Sequence, residues 1–207
     1  MSGKAIADRL EQAPRRDRRA ERRDATRAEI LEAAWELARE QGLTELSLRD
    51  LGDRVGMRAQ SIYSYFDSKH AIYDAMFQEG NEELLRRMQL VRDTPGTPNE
   101  RFRMGAKGFV EFALEDLPRC QLMFLRTVPG FEPSPEAYAP AVLVLELARA
   151  RLADIGITRP EMLDIWTALL SGIMQQQWAN DPGGDRWKKL LDDAITMYLA
   201  YAKKRRS

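Results

Sequence analysis

SLRDLGDRVGMRAQSIYSYFDSK, residues 47–69, is the stretch whose reading decides the fold. It reads as two short helices around a tight turn. Ser47 stands where a helix cap belongs, and Leu48, Leu51 and Val55 give the first helix an apolar stripe at i, i+3 and i+7. Gly56 follows where the helix must stop and the backbone must turn sharply, a conformation glycine takes without strain. Met57 is the apolar plug of the turn. Ala59 to Phe66 is predicted as the second helix, with Ile62 and Phe66 pointing into the core and Gln60, Ser61, Tyr63 and Tyr65 on the outer face. A helix–turn–helix of this form offers its second helix to the major groove of DNA.

Outward from that stretch, every pattern is helical. Residues 24–41 form a long helix on the Ile30, Ala34 and Leu37 line, stopped by Gly42, with Trp35 sealing a seam to whatever follows. Residues 68–91 form a connecting helix capped at Asp67 or Ser68 and striped by Ile72, Met76, Phe77 and Leu84. Thr94-Pro95-Gly96-Thr97-Pro98-Asn99 is a clear break. Helices follow at 99–116, from Pro118, at 136–155, at 160–180 and at 185–203, the turns falling at Val128 to Pro135, Gly156 and Asp181-Pro182-Gly183-Gly184. The segment Pro140 to Leu147 is apolar on nearly all faces, which predicts burial. Gly105 and Gly108 inside a helix point to close approach of another helix, or to room for something else. No strand pattern and no internal repeat is present in the sequence. The expected fold class is all-α.

The 207 residues are enough for one sizeable core or two small ones, and 44% hydrophobic with 31% charged residues is an ordinary composition rich in helix formers. No apolar run approaches the ~20 residues of a membrane span. The charged N-terminus lacks the apolar segment of a signal peptide. A lone cysteine, Cys120, leaves no intramolecular disulfide, and a reducing cytoplasm is the expected home. The single His70 argues against a Cys/His zinc site and a Ser-His-Asp triad, and no glycine loop for phosphate is present. No enzyme and no cofactor is expected. Net charge is +0, but residues 1–23 hold eight basic side chains against four acidic ones. That arm reads either as a solvated tail or as a contact to DNA phosphate.

In sequence order, residues 24–77 resemble the DNA-binding domain of TetR-family transcriptional repressors. The resemblance is carried by Ile30, Ala33, Ala34, Leu37 and Ala38, then Gly42-Leu43, Leu48-Arg49-Asp50-Leu51-Gly52, Val55-Gly56-Met57, Ser61-Ile62-Tyr63-Ser64-Tyr65-Phe66 and Ser68-Lys69. The family usually has Ser or Thr where Arg58 stands and often Gly where Gln60 stands. Those departures bear on the operator sequence, not on the fold. The resemblance implies about nine helices: a flexible arm at 1–23, a three-helix helix–turn–helix domain at 24–70, and a C-terminal ligand-binding and dimerisation bundle at 71–207. It implies a homodimer on a near-palindromic double-stranded DNA operator, released by a small apolar or amphipathic effector. A regulator without an effector, whose bundle only dimerises or docks a protein, is the alternative.

By the same resemblance, Ser47, Arg49, Tyr63 and Lys69 are phosphate clamps. Ala59, Gln60, Ser61 and Tyr65 face the bases or their sugars, and Arg58 reaches a guanine or a phosphate. Gln60 suits adenine, whose N6 and N7 match its amide. Lys69 also stands on the first turn of a helix, which favours phosphate. The expected effector pocket draws on Phe102, Phe109, Phe112, Met123, Phe124, Trp166, Met174, Gln175 and Trp178, adaptable apolar groups with amides among them. The three glutamines Gln175, Gln176 and Gln177 interrupt an apolar helix, so some must face inward or toward a partner, and one could orient a ligand. Leu170, Ile173, Gln177, Trp187, Leu191, Ile195 and Tyr198 are the expected dimer contacts.

Overall fold

Residues 18–204 are described by the structure, a computed structural model. Among them are nine α-helices, two short 3-10 turns and no strand. The helices are α1 (Arg18–Gln41), α2 (Leu48–Arg54), α3 (Ala59–Ile62), α4 (Lys69–Arg92), α5 (Pro98–Glu115), α6 (Leu117–Phe124), α7 (Pro135–Asp154), α8 (Pro160–Asn180) and α9 (Leu191–Lys204). The expected all-α class holds. The question of the basic arm at residues 1–17, and of Arg205 and Arg206, lies outside the described residues.

Local chemistry explains most helix starts. Ser47, Ser68, Asp116 and Ser134 each accept a backbone N–H three residues on, and Thr97 with Glu100 forms a reciprocal capping box. Proline opens α5, α7 and α8, where its missing N–H costs no hydrogen bond.

Two large cores result. The first joins Ile30, Ala34 and Leu37 of α1 to Leu51, Ile62 and Phe66 and to the first half of α4, Ile72, Tyr73, Met76 and Phe77. It continues into Leu122 of α6, Val128 and Ala137 of α7. The second joins Phe102 and Val110 of α5 to Trp166, Leu170 and Met174 of α8 and to Ile195 and Tyr198 of α9. Leu84 and Met88, in the second half of α4, form a smaller cluster with Phe112. One helix therefore belongs to both halves. Trp35 fastens it to α1, its Nε1 donating to Glu79 Oε2 at 2.7 Å, and Tyr73 donates to the Leu43 carbonyl at 2.7 Å. Burial pushes that phenol up to about 12.

Four expectations need correction. The first helix begins at Arg18, not at residue 24, so part of the basic arm is a continuation of α1. The recognition helix is α-helical only over Ala59–Ile62; Ser64 and Tyr65 then donate to carbonyls three residues back, which tightens the chain into a turn. The last helix starts at Leu191, because the Gln177 side chain takes the N–H groups of Trp187 and Lys188 and Asp181 takes that of Arg186. The apolar segment of α7 is not buried throughout. Ala137, Pro140 and Leu152 face the core, while Val142, Leu143 and Leu145 are exposed. This helix packs chiefly along α4 and lies in an outer layer, so only part of its circumference is covered.

Candidate nucleic-acid interface and bundle cavity

The turn between α2 and α3 is built on two glycines. Gly56 has φ +67, the left-handed region. A Cβ on Gly52 would stand 2.7 Å from the Met57 carbonyl oxygen and 3.0 Å from the Ala59 nitrogen, so the two helices meet with no atom to spare. Met57 donates its N–H to the Gly52 carbonyl at 2.8 Å.

This geometry fixes which way α3 faces. Ile62 and Phe66 are buried in the first core. Arg58, Gln60, Ser61 and Tyr63 are exposed on the opposite side, with Ala59 and Tyr65 half-buried beside them. Arg49 is exposed on the adjoining α2. Ser47 is half-buried and occupied as a cap, its hydroxyl also donating to Asp50 Oδ2 at 2.6 Å. The Lys69 ammonium donates to the Thr44 carbonyl at 3.0 Å, so this cation already has one partner within the chain.

Two arginines of α1 complete the unit, and the sequence reading missed both. Arg23 Nη2 donates to the Ser64 carbonyl at 2.7 Å and its guanidinium lies over the Tyr65 ring. Arg27 donates to the Tyr65 carbonyl and covers the Phe66 ring at 4.2 Å. These carbonyls end the recognition helix and lack an ordinary helical partner. The i, i+4 spacing of Arg23 and Arg27 on one face of α1 was the available signal. Glu36 and Glu40, both exposed, hold Arg54 of α2 at 3.0 and 2.6 Å.

In the other half, a cavity of about 80 Å³ opens between α4, α5, α7 and α8. Its wall takes Met88 from α4; Phe102, Gly105, Ala106 and Phe109 from α5; Val144, Leu145, Ala148 and Arg151 from α7; and Trp166, Thr167 and Leu170 from α8. Of the nine expected lining residues, the structure brings Phe102, Phe109 and Trp166 to this wall. Phe112 is fully buried elsewhere, its ring covered by Arg119 at 3.8 Å and Arg87 at 5.1 Å. Met123 packs on Gly80, and Phe124 stands behind Phe109 with ring centroids 5.5 Å apart. Met174 is core, Gln175 is exposed, and Trp178 donates to the Ala113 carbonyl at 3.2 Å.

Arg151 was not foreseen. It is the charged residue among those described on the wall. It donates to the Met88 carbonyl and points Nη1 at Met88 Sδ, 3.7 Å away. Burial pulls its pKa below the ordinary arginine value, while Asp154 acts in the opposite sense.

The outer face of α8 and α9 is an apolar groove. Ala168, Leu169, Gly172, Trp187, Leu190 and Met197 line it, and Met197 is 73% exposed. Six of the seven expected dimer contacts, Leu170, Ile173, Gln177, Leu191, Ile195 and Tyr198, are buried in the chain's own core. Gln177 is employed internally. Its amide donates to the carbonyl and side chain of Asp181 and accepts from Trp187 and Lys188. Of the seven, Trp187 and the buried Ile173 line the groove. Cys120 is buried and its thiol is pushed up to about 11, far from a reactive thiolate.

Comparison with known proteins agrees with this geometry. Residues 30–76 match the model of bacterial regulatory proteins of the tetR family. The HTH-type transcriptional repressor Rv1353c of Mycobacterium tuberculosis is 23% identical over 204 residues, covering 93% of this chain and 76% of that one. The HTH-type transcriptional repressor KstR2 of the same species is 31% identical over 87 residues, 42% of this chain and 44% of its own. The crystal structure of the putative regulatory protein SCO4313 superposes with a TM-score of 0.73 at 20% identity, over 87% of this chain and 98% of that one.

Proposed function

We propose that this chain is a TetR-family DNA-binding transcriptional regulator and not an enzyme, a cytoplasmic repressor that grips a near-palindromic operator as a homodimer and lets go when a small apolar or amphipathic effector enters its bundle. The observation that carries the proposal is the double membership of α4. Its first half lies in the core that positions α3, and Met88 in its second half is cavity wall. A ligand that parts α5 from α7 therefore acts on the same rigid rod that seats the recognition helix. Effector and operator then oppose each other reciprocally. The division between a reading domain and a regulatory domain falls within α4.

In this reading α3 lies in the major groove, with Gln60, Ser61 and Arg58 toward the bases and Arg49, Tyr63 and Lys69 toward phosphates. Two such helices, one per subunit, reach successive grooves about 34–36 Å apart. Subunits pair through the apolar groove of α8 and α9, centred on Leu169, Trp187, Leu190 and Met197.

Selection of bound DNA from a random pool by the purified protein tests the proposal. A near-palindromic motif is expected. An enriched motif without dyad symmetry counts against the dimeric reader, and no enrichment at low salt counts against the whole. One observation favours a second reading, in which the bundle docks a protein instead of an effector: Val142, Leu143 and Leu145 are exposed side by side on α7. Under that reading small apolar compounds leave operator affinity unchanged.

A further inference from the structure

We infer that the cavity between α5, α7 and α8 takes an apolar acid, its carboxylate seated on the Arg151 guanidinium; the inference rests on reading this cavity as the effector site. A guanidinium offers five N–H donors in a planar fork and fits a carboxylate with two parallel bonds. Here it reaches one backbone carbonyl and one thioether sulfur, both of Met88. A thioether is a weak acceptor. Among the described residues no carboxylate is hydrogen-bonded to it; Asp154 favours its charge only through space, and a partly buried charge without a directly paired counter-charge is unfavourable. The pull of burial on its pKa has the same origin.

The fold makes room for this charge at some cost. A Cβ on Gly105 would stand 2.6 Å from Arg151 Nη1. Glycine inside a helix is less stable than alanine, and here that sacrifice lets the guanidinium lie against α5. The room that Gly105 leaves is filled by the guanidinium itself. Around it the wall is apolar, with Phe102, Phe109 and Trp166 facing the space. The Thr167 hydroxyl donates to the Leu163 carbonyl at 2.9 Å, so the donors free for a ligand are those of Arg151. One guanidinium balances one negative charge, which suits a carboxylate better than a phosphate dianion. The apolar remainder of the ligand lies along the aromatic rings, and because the cavity is small it must move α5 away from α7.

A purely structural role for Arg151, bracing α4 through the Met88 carbonyl, predicts lost stability on mutation but no preference among ligands. The test uses matched pairs on the full-length protein at neutral pH: octanoate against 1-octanol, and phenylacetate against 2-phenylethanol. Calorimetry measures affinity, and tryptophan fluorescence reports on the wall through Trp166. Each acid is expected to bind at least tenfold more tightly than its alcohol, and Arg151→Met is expected to erase that ratio while Arg151→Lys keeps part of it. Equal affinities of acid and alcohol for the unmodified protein overturn the carboxylate assignment and leave the effector site standing. So does a preference that survives in Arg151→Met. Binding of neither member of either pair overturns the effector-site reading, and this inference with it.

Discussion

Phe66 and Phe109 are aromatic rings at the centre of their respective halves, and they sit in different conditions. Phe66 is 2% exposed, sealed by Ile62 and the first core, with Arg27 over its face. Phe109 is half-buried on the wall of the cavity. The contrast holds for the surroundings of each. The reading unit closes its polar groups on itself, through Arg23, Arg27 and the Arg54 pairs to Glu36 and Glu40. The bundle leaves a cavity, a desolvated arginine and two exposed apolar faces. A part that must match a fixed groove is packed to one shape. On the proposed function, a part that must respond to an effector is left with somewhere to go.

The sharpest way to break this comparison is to truncate both rings. Phe66→Ala should lower stability by ~3–5 kcal/mol and abolish operator binding, whereas Phe109→Ala, next to existing empty space, should cost under about 2 kcal/mol. Chemical denaturation measures both, and equal losses would mean that the two halves are packed alike. Next in size is the outer face. Met197→Lys puts a charge into the proposed subunit contact and should weaken dimerisation about a hundredfold. Light scattering at micromolar concentration should then report a monomer. An unchanged dimer would move the interface elsewhere.

Within the reading unit, Gln60→Ala should relax preference at one operator position by ~1–3 kcal/mol. Arg49→Ala should instead weaken all sequences alike and reduce the salt slope by about one. Identical profiles across a randomised operator library would remove the division between base and phosphate contacts. The smallest effect belongs to the polar network of the bundle. Arg87, then Arg119, hold the Glu115 carboxyl below its ordinary value of 4.5, and Arg86 followed by Arg87 does the same for Glu83. A lowered carboxylate stabilises the fold above pH 4.5, and the contribution is lost as pH falls below that value. Both groups are partly in water, so Glu115→Gln should remove only ~0.5 kcal/mol of this acid sensitivity. Thermal midpoints between pH 3 and 7 check it, and curves with identical slopes refute the role.

What the sequence revealed was local. Caps, glycine stops and prolines act over three or four residues, which is why the α8 limits, Pro160–Asn180, agree with the expectation and why the helix–turn–helix was readable at once. What it concealed depends on distance or on phase. Arg23 and Arg27 meet carbonyls 41 and 38 residues away, beyond any local pattern. The α8 helix is apolar over a broad arc, and periodicity alone does not say which edge belongs to the chain's own core. Leu170 and Gln177 turned out to face inward and Ile173 to sit at the seam between core and groove, leaving Leu169, Gly172 and Gln176 outside. Arg151 reads as one more solvated charge until Gly105, on another helix, is found opposite it.

The two arginine braces from α1 to the end of the recognition helix bear on evolution as well as on mechanics. Their hydrogen bonds go to backbone carbonyls, with the rings of Tyr65 and Phe66 beneath the guanidiniums, so the exposed residues Arg58, Gln60, Ser61 and Tyr63 can be exchanged without loosening the grip. The alphabet of the reader is thus uncoupled from its mounting. On the proposed function, a lineage carrying this scaffold is free to acquire a new target sequence by surface substitutions in α3 alone, keeping its sensor, its transmission rod and its subunit contact unchanged.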